Sequence, residues 1–309
     1  MKRTSLAIAL CLTLAACAPK SEAPQQPAQE GAAAEQTAQA PAGSFSIGEL
    51  SAIALRDGAF EFPNDNKIFG VGKSPEDVAG VLTAAGLPTD KLGVSLQPLL
   101  VRSTDRVLLF DTGAGANFGP AGGQLPQSLA EAGVEPDSIT DIFISHPHGD
   151  HIGGLLNAEG ALRFPNATVH MGAADWDFLK SRPENAALAT ALTPKIDAFA
   201  PGAELVPGIV KAVDLHGHTP GHSGYLIGSG ASSLLYIGDS MHHYVISVQQ
   251  PEWTVSFDTD AATGQKNRLD VLARSAESGQ RIYAVHFPYP GVGKFEHRGE
   301  GYVWVPETL

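Results

Sequence analysis

Short runs of apolar or alternating residues recur along the chain after residue 44, each bounded by Gly, Pro, Asp or Ser. Such runs are typical of β-strands. The predicted strands are Phe45–Leu55, Leu96–Val101, Val107–Phe110, Ile142–Ile144, Ala167–His170, Ile209–Leu215, Tyr225–Ile227, Ser233–Ile237 and Ile282–Val285. Helical spacing of apolar residues predicts helices over Pro75–Ala85, Leu125–Ala132, Ala173–Ser181, Asn185–Phe199 and Gln265–Ser278. Strands mixed with helices indicate an α/β or α+β fold.

The N-terminus has a different pattern. Lys2 and Arg3 precede a short apolar run and two small residues, which is the pattern of a secretory signal. The segment Leu14–Cys17 resembles a bacterial lipobox, which implies cleavage before Cys17 and acylation of its thiol. We therefore expect a signal peptide over 1–16, a lipidated Cys17 with a disordered Ala/Gln/Pro-rich tether over 17–44, and a folded domain over 45–309.

This organisation predicts a protein of the bacterial cell envelope, anchored by lipid on the periplasmic side. The alternative is ordinary secretion to the periplasm with Cys17 left free. Lipid on Cys17 is the only membrane contact that we expect, because no apolar run is long enough to span a bilayer.

Composition narrows the class of ligand. The formal net charge is −13, and no block of Lys or Arg occurs, so nucleic acid is not expected as a partner. A neutral small molecule suits this charge better than an anion. The two cysteines are Cys11 and Cys17, so the folded domain contains no thiolate metal ligand and no disulfide.

The segment after the strand Ile142–Ile144 indicates a metal site. His146, His148, Asp150 and His151 fall within six residues. Imidazole nitrogens and carboxylate oxygens suit Zn²⁺. So short a loop cannot easily bring all four side chains to one ion, so we expect two ions and further ligands downstream. Plausible candidates at strand ends are His222, Asp239 and His286.

The H-x-H-x-D-H loop, the later Thr219-Pro220-Gly221-His222 and the Gly238-Asp239 pair resemble the metallo-β-lactamase superfamily of dinuclear metallohydrolases. Further stretches, LLFDTGAGANFGP from Leu108 and SHPHGDHIGG from Ser145, are similar to the methyl parathion hydrolase and lactonase-like subfamily. The resemblance implies an αββα sandwich with the site at the strand ends.

The resemblance also implies the roles of individual residues. It assigns His146, His148 and His222 to one metal, assigns Asp150, His151 and His286 to the other, and makes Asp239 the bridge. Asp150 and Asp239 would be the catalytic carboxylates. Asp111 would orient a ligand from behind, and His218 would have a similar supporting role. The cofactor would be two divalent ions, with zinc the first choice and manganese, iron or cobalt the alternatives.

We therefore expect a zinc-dependent hydrolase that uses a metal-bridging hydroxide on a neutral lactone or an aryl or acyl ester. The first alternative is an organophosphate triester hydrolase. Others are an iron-dependent oxidoreductase and a non-catalytic zinc-binding protein on the same fold. Aromatic residues near the motifs are candidates for the substrate pocket; these are Phe118, Trp176, Phe287 and Tyr244. Tyr244 or His242 could donate a proton to the leaving group.

Overall fold

Two seven-stranded sheets form the centre of the chain that the computed structural model describes, namely residues 41–228 and 232–309. These residues belong to one compact unit, Ala40–Leu309. The predicted signal, the Cys17 anchor and most of the tether lie outside the described residues and stay predictions. None of the helices in the two described ranges has the length and apolar character to cross a membrane.

The regular elements are short and closely spaced. The strands are β1 Ser44–Ile47, β2 Leu50–Ala54, β3 Gly58–Pro63, β4 Phe69–Val71, β5 Lys91–Leu96, β6 Leu99–Arg102, β7 Val107–Phe110, β8 Asp141–Ile144, β9 Thr168–Gly172, β10 Ile196–Phe199, β11 Glu204–Val206, β12 Val210–Asp214, β13 Ser223–Ile227, β14 Leu234–Tyr236, β15 Thr254–Val255, β16 Arg281–Tyr283, β17 Val292–Arg298 and β18 Gly301–Pro306. The α-helices are α1 Pro75–Ala84, α2 Leu125–Glu131, α3 Gly149–Ile152, α4 Ala173–Ser181, α5 Ala186–Leu192, α6 Ile246–Gln249 and α7 Ala261–Ser278.

The sheets combine antiparallel and parallel pairs. The first has the order β1-β2-β6-β7-β8-β9-β10, and its last three pairings are parallel. The second has the order β11-β12-β13-β14-β16-β17-β18, with a parallel pairing only between β14 and β16. Two small ribbons, β3 with β5 and β4 with β15, complete the strands described.

Alternation along the central strands divides the apolar residues among three cores. In β7, Phe110 contributes to the core shared by both sheets, whereas Leu109 contributes to a second core with α2, α4 and α5. In β14, Tyr236 belongs to the shared core and Leu235 to a third core with α7. Because successive strand residues point to opposite faces, this distribution gives four layers, helix–sheet–sheet–helix. The predicted αββα sandwich is confirmed.

Two predicted elements were wrong in outline. Phe45–Leu55 is a hairpin rather than one strand, because Gly48 adopts a positive φ of 60° and reverses the chain between β1 and β2. The predicted helix Asn185–Phe199 ends at Leu192, near Pro194, and its remainder forms the edge strand β10. Proline lacks the N–H that a continuing helix needs.

The topology brings several strand ends to one edge. β7 and β8 are parallel neighbours in the first sheet, and β14 and β16 are parallel neighbours in the second. The carboxyl ends of parallel strands meet at the same edge. Asp111, Ser145, Ile237 and Ala284 are therefore the first residues beyond these four ends, and the polar motifs follow them directly.

A buried carboxylate anchors the loop between β7 and α2. Asp57 is fully buried and accepts hydrogen bonds from the backbone N–H groups of Ala114, Gly123 and Leu125, at 2.8, 3.0 and 2.8 Å. Hydrogen bonds to a charged acceptor are stronger than neutral ones. The single side chain of Asp57 thus holds both ends of the segment that carries Phe118.

We predict that Asp57→Ala lowers the free energy of unfolding by about 3 kcal/mol or more, because three N–H groups lose a charged acceptor. Denaturant unfolding followed by circular dichroism measures this change. The exposed Asp90 is the matched control, and Asp90→Ala should change the same quantity by less than about 0.5 kcal/mol. Equal stabilities for the two variants would contradict the anchoring role.

Candidate metal centre

The loop after β8 delivers four potential ligands in a compact turn. Ser145 follows the strand, and His148 lies in extended backbone (φ −77°, ψ 155°) directly before α3. That short helix carries Asp150 and His151, whose ligand-type atoms group with His286, whereas those of His146 and His148 group with His218 and Asp239. The local sequence therefore divides its ligands between two groups.

The first cluster consists of His146, His148, His218 and Asp239. Nε2 of His146 lies 2.9 Å from Nδ1 of His148, and Nε2 of His218 lies 3.1 and 2.9 Å from these two nitrogens. The Oδ2 atom of Asp239 lies 3.5 Å from Nε2 of His146 and 3.3 Å from Nε2 of His218. Tetrahedral zinc with bonds of about 2.0–2.1 Å spaces its ligand atoms about 3.3 Å apart. The cluster suits such an ion.

The second cluster consists of Asp150, His151 and His286. The Oδ2 atom of Asp150 is 3.5 Å from Nε2 of both histidines. The Oδ1 atom of Asp239 lies 3.2 Å from Nε2 of His151 and 3.0 Å from Nε2 of His286. The two carboxylate oxygens of Asp239 therefore face different clusters, which is the arrangement that a bridging ligand needs.

Polar groups behind the second cluster orient its histidines. Asp111 is buried, and its Oδ2 atom accepts from Nδ1 of His151 at 2.7 Å and from the hydroxyl of Tyr236 at 2.6 Å. The Nδ1 atom of His286 donates to the carbonyl of Ser95 at 2.8 Å. Each contact occupies one ring nitrogen and leaves Nε2 to face the cluster. Asp111 thus lies where the resemblance implied.

His222 does not join either cluster in the part of the chain that the structure describes. Its Nδ1 atom donates to the carbonyl of Leu215 at 2.9 Å, and its Nε2 atom accepts the backbone N–H of Asp239 at 2.9 Å. Both ring nitrogens are therefore occupied within the protein. The structure corrects the assignment of this pair, because His218 holds the position among the ligands that the resemblance gave to His222.

The unsatisfied atoms of the site fit bound cations. Nε2 of His151 and Oδ1 of Asp239 are buried without a hydrogen-bond partner, although they lie only 3.2 Å apart. Buried polar atoms are normally paired, so such atoms need an explanation. Seven imidazole and carboxylate side chains converging without thiolate suit zinc and the other divalent first-row metals. The residues present therefore fit two divalent ions.

The electrostatics of the clusters lead to the same conclusion. Burial lowers the pKa of His148 to about 4, which keeps its imidazole neutral and able to ligate. Burial opposes charge on His218 too, yet its hydrogen bonds to Asp239 and Asp258 raise its pKa to about 9, so His218 must release a proton when it ligates an ion. The pKa of Asp239 is held well below its usual range: burial opposes this, but the charges of His151 and His286 outweigh it. The carboxylates of the site therefore attract positive charge.

Both clusters open into a pocket of about 360 Å³. Its walls are aromatic and aliphatic, with the metal-type side chains at one end. The apolar lining residues are Phe60, Phe62, Ile68, Phe69, Val94, Phe118 and Phe257. Phe118 is 44% exposed and packs on Phe60 with ring centroids 4.8 Å apart. The pocket can therefore hold an apolar substituent beside the clusters.

Only one of the four predicted pocket residues, Phe118, lies in this pocket. Trp176 is buried in the core beneath α4, and Phe287 is buried against Trp304 in the core beneath α7. Tyr244 packs on His243 and Phe287 and lines another cavity. These three predictions were wrong, because nearness to a motif in sequence does not determine the face to which a side chain points.

Sequence reasoning missed most of the pocket. Phe60 and Phe62 alternate on one face of β3, Phe69 lies in β4, and Phe257 follows β15. The spacing of Phe60 and Phe62 is a period-2 signal that could have indicated a shared face. Nothing local connects those residues with Phe257, which reaches the pocket only through the pairing of β15 with β4.

The geometry generates a test of the ligand set. We predict that His218→Ala lowers the zinc content of the purified protein to about one ion per chain, because the first cluster loses one of its three imidazoles. Elemental analysis after dialysis measures this content. His297→Ala, at an exposed position, is the matched control and should keep the wild-type content. Retention of two ions by His218→Ala would remove this residue from the site.

Solved structures share this architecture. AidC, a dizinc quorum-quenching lactonase in complex with a product, is 29% identical; the alignment covers 86% of this chain and 97% of AidC, with a TM-score of 0.80. The hydrolase AbOPH of the beta lactamase superfamily is 25% identical over 88% of this chain and 99% of its own, with a TM-score of 0.78. A quorum-quenching N-acyl homoserine lactone lactonase shares the fold at 20% identity, with 77% of this chain and 92% of its own covered and a TM-score of 0.56.

Curated relatives match over a shorter region. Ribonuclease Z of Salinibacter ruber is 39% identical over 79 residues, which are 26% of this chain and 21% of the relative. Ribonuclease Z of Rippkaea orientalis is 38% identical over 74 residues, or 24% of this chain and 21% of the relative. The chain thus spans about a fifth of the length of these relatives.

The family comparison covers more than half of the chain. The sequence pattern of the metallo-beta-lactamase superfamily matches residues 98–273. This range runs from β6 to α7 and includes the β8 loop, His218 and Asp239. On this evidence, together with the four-layered fold, the chain belongs to the metallo-beta-lactamase superfamily.

Proposed function

We propose that this protein is a dinuclear, zinc-dependent hydrolase of a neutral lactone or an aryl or acyl ester. The observation that carries the proposal is the direct opening of two ligand clusters into an apolar pocket. The name of AidC, a lactonase, supports this substrate class. We also propose the location in the cell envelope that the N-terminal sequence predicts.

When bound, a pair of divalent ions lowers the pKa of water and polarises a substrate oxygen. The chain itself supplies orientation and exclusion of water. Asp239 directs one oxygen to each cluster. The aromatic walls place the acyl or aryl substituent and leave the carbonyl at the clusters, which reduces the entropic cost of reaching a reactive geometry.

The pocket favours an uncharged substrate. None of its lining residues, all within the described ranges, is Lys or Arg. Away from the metal-type side chains, the pocket wall therefore offers no side-chain cation to pair with a carboxylate or phosphate group of a substrate. The net charge of −13 adds repulsion at long range. A lactone or ester carbonyl avoids both penalties.

His242 supplies a polar group at the boundary between the apolar wall and the clusters. It is 3% exposed, both of its ring nitrogens lack a hydrogen-bond partner, and Nε2 lies 3.2 Å from Oδ2 of Asp239. Burial lowers its pKa below the usual value, so it is a neutral imidazole with one N–H to donate. We assign it the role of hydrogen-bond donor to the substrate carbonyl or leaving oxygen.

The organophosphate triester is the second candidate substrate, because Phe118 and the neighbouring phenylalanines would also accept an aryl leaving group. The residues after Asp239 support the lactone or ester as the first candidate. Ser240, His242 and His243 make this stretch polar, and His242 faces the pocket. A hydrogen-bond donor at that position suits a carbonyl substrate.

The ribonuclease Z matches raise a nuclease as an alternative. A groove of about 780 Å³ shares His148 and Gly149 with the aromatic pocket and includes Arg163 and Arg182. Arg163 donates to the carbonyls of Gly154 and Leu156, so its guanidinium stabilises the loop that follows α3. Phosphate binding needs several available cations, and this groove does not offer them. We therefore propose a neutral ester rather than RNA as the substrate.

We predict that kcat/KM for an acyl-chain or aromatic lactone exceeds that for methyl parathion by at least tenfold, or about 1.4 kcal/mol of transition-state discrimination. We expect the lactone to be preferred because His242 can donate a hydrogen bond to its carbonyl group. Both assays use the same zinc-loaded preparation. An equal or higher value for the phosphotriester would make the second candidate the principal function, and cleavage of a structured RNA alone would favour the nuclease.

Adjacent histidines allow a test of His242. We predict that His242→Phe lowers kcat/KM for a lactone by about tenfold, the expected effect of losing one hydrogen bond, while the zinc content stays at two. His243 is the matched control, since its Nδ1 atom accepts the N–H groups of Val245 and Ile246 at the start of α6. His243→Phe should lower the thermal midpoint and leave kcat/KM close to wild type. Similar kinetics for both variants would contradict the role of His242.

A further inference from the structure

A buried ion pair lies directly behind the first cluster. The side chains of Arg268 and Asp258 are each 1% exposed, and the Nη2 atom of Arg268 lies 3.2 Å from Oδ2 of Asp258. A buried salt bridge is weak evidence for stability, because desolvation of the two charges offsets their attraction. The position of this pair therefore suggests a role beyond stabilising the fold.

The pair contacts one particular ligand. The Oδ1 atom of Asp258 accepts from Nδ1 of His218 at 2.9 Å, which leaves Nε2 of His218 to face His146 and His148. The backbone strengthens this orientation, because the N–H of Thr259 donates to the carbonyl of His218 at 3.0 Å. The segment that begins at Asp258 thus fixes both the ring and the main chain of His218.

Asp258 is the counterpart of Asp111. Each is a buried carboxylate that accepts from Nδ1 of one histidine, with Asp111 serving His151 and Asp258 serving His218. Their surroundings differ, since Asp111 accepts hydrogen bonds from uncharged groups of Ser145 and Tyr236, whereas Asp258 faces the cation of Arg268. Each cluster therefore has its own supporting carboxylate.

Arg268 also contacts the backbone of two further segments. Its guanidinium donates to the carbonyls of Ser240, Pro251 and Trp253, at 2.9, 2.8 and 3.2 Å. Ser240 follows Asp239 directly and precedes His242 by two residues. One buried cation thus connects the support of His218 with the segment that carries the bridging carboxylate.

We propose that Asp258 and Arg268 are positioning residues that set the metal affinity of the first cluster separately from that of the second. A carboxylate hydrogen-bonded to a metal-binding imidazole fixes its tautomer and strengthens it as a donor, and its loss typically weakens metal binding by about 10–100-fold. Arg268 holds the carboxylate of Asp258 in place for this contact. The inference rests on the proposed metal-dependent function.

The chain contains a matched triad away from the clusters. The Nη1 atom of Arg106 lies 2.9 Å from Oδ2 of Asp141. The Oδ1 atom of Asp141 lies 3.1 Å from Nε2 of His170. Asp141 is the first residue of β8, so this triad lies at the edge of the sheet opposite to the metal-type loop. Asp141→Asn therefore removes the same kind of charge without touching either cluster.

The experiment measures zinc affinity in two backgrounds, each with one cluster disabled. In His286→Ala the first cluster stays intact, and in His148→Ala the second stays intact. Asp258→Asn is added to each, and competition with a chromogenic chelator gives the dissociation constant of the remaining ion. We expect a 10–100-fold weakening in the His286→Ala background, less than threefold in the His148→Ala background, and less than threefold for Asp141→Asn in both.

A uniform loss in both backgrounds, or an equal loss for Asp141→Asn, would mean a general structural effect and would overturn the proposal, as would unchanged affinity. If Asp258→Asn fails to fold, the double variant Asp258→Asn/Arg268→Met removes both charges together and should show the same selective loss. Rescue by Asp258→Glu would add support. Zinc binding is measured without substrate, so a protein that binds zinc in this way but hydrolyses nothing would overturn only the proposed function.

Discussion

The carboxylate of Asp239 is the point on which the site depends. Imidazole Nε2 atoms of five histidines lie within 3.5 Å of its two oxygens; these are His146, His151, His218, His242 and His286. So dense an arrangement around a buried anion is stable only when every ring presents the correct nitrogen. The outer contacts of the rings, to carboxylates and backbone carbonyls, are therefore as important to the centre as the inner ones.

Sequence could predict the parts of this centre that are local. The β8 loop contains four metal-type side chains in six residues, and its strand is bounded by Asp and Ser, so neither needs tertiary information. The choice between His218 and His222 is not local. Both flank the same Thr-Pro-Gly turn. Which of the two rings faces the cluster depends on the antiparallel pairing of Asp214 with Ser223, because this pairing places the ring of His222 against the carbonyl of Leu215. Spacing alone cannot distinguish the two rings.

The strands of the fold, too, could be predicted where their signal is local and not elsewhere. Central strands such as β7 were predicted to their residue bounds, because continuous apolar runs mark strands buried on both faces. The ribbon of β3 with β5 was largely missed, since Gly58–Pro63 alternates exposed and buried residues and ends at a proline. That ribbon is stabilised by its neighbours rather than by its own pattern, and it contributes Phe60, Phe62 and Val94 to the pocket. The sequence therefore predicts the metal centre better than it predicts substrate contacts.

The Asp57 anchor separates two properties of the molecule that could otherwise change only together. These are the shape of the pocket wall and the position of the strand ends. It fixes the ends of the loop at Ala114, Gly123 and Leu125, while Phe118 projects from the middle of that loop into the pocket. Replacement of the exposed Phe118 alters the shape of the pocket wall and leaves the strand ends in place, whereas Asn117 in the same loop donates to the carbonyl of Gly149. Evolution can thus reshape the pocket at this position at little risk to the two clusters, and an engineer can use the same freedom.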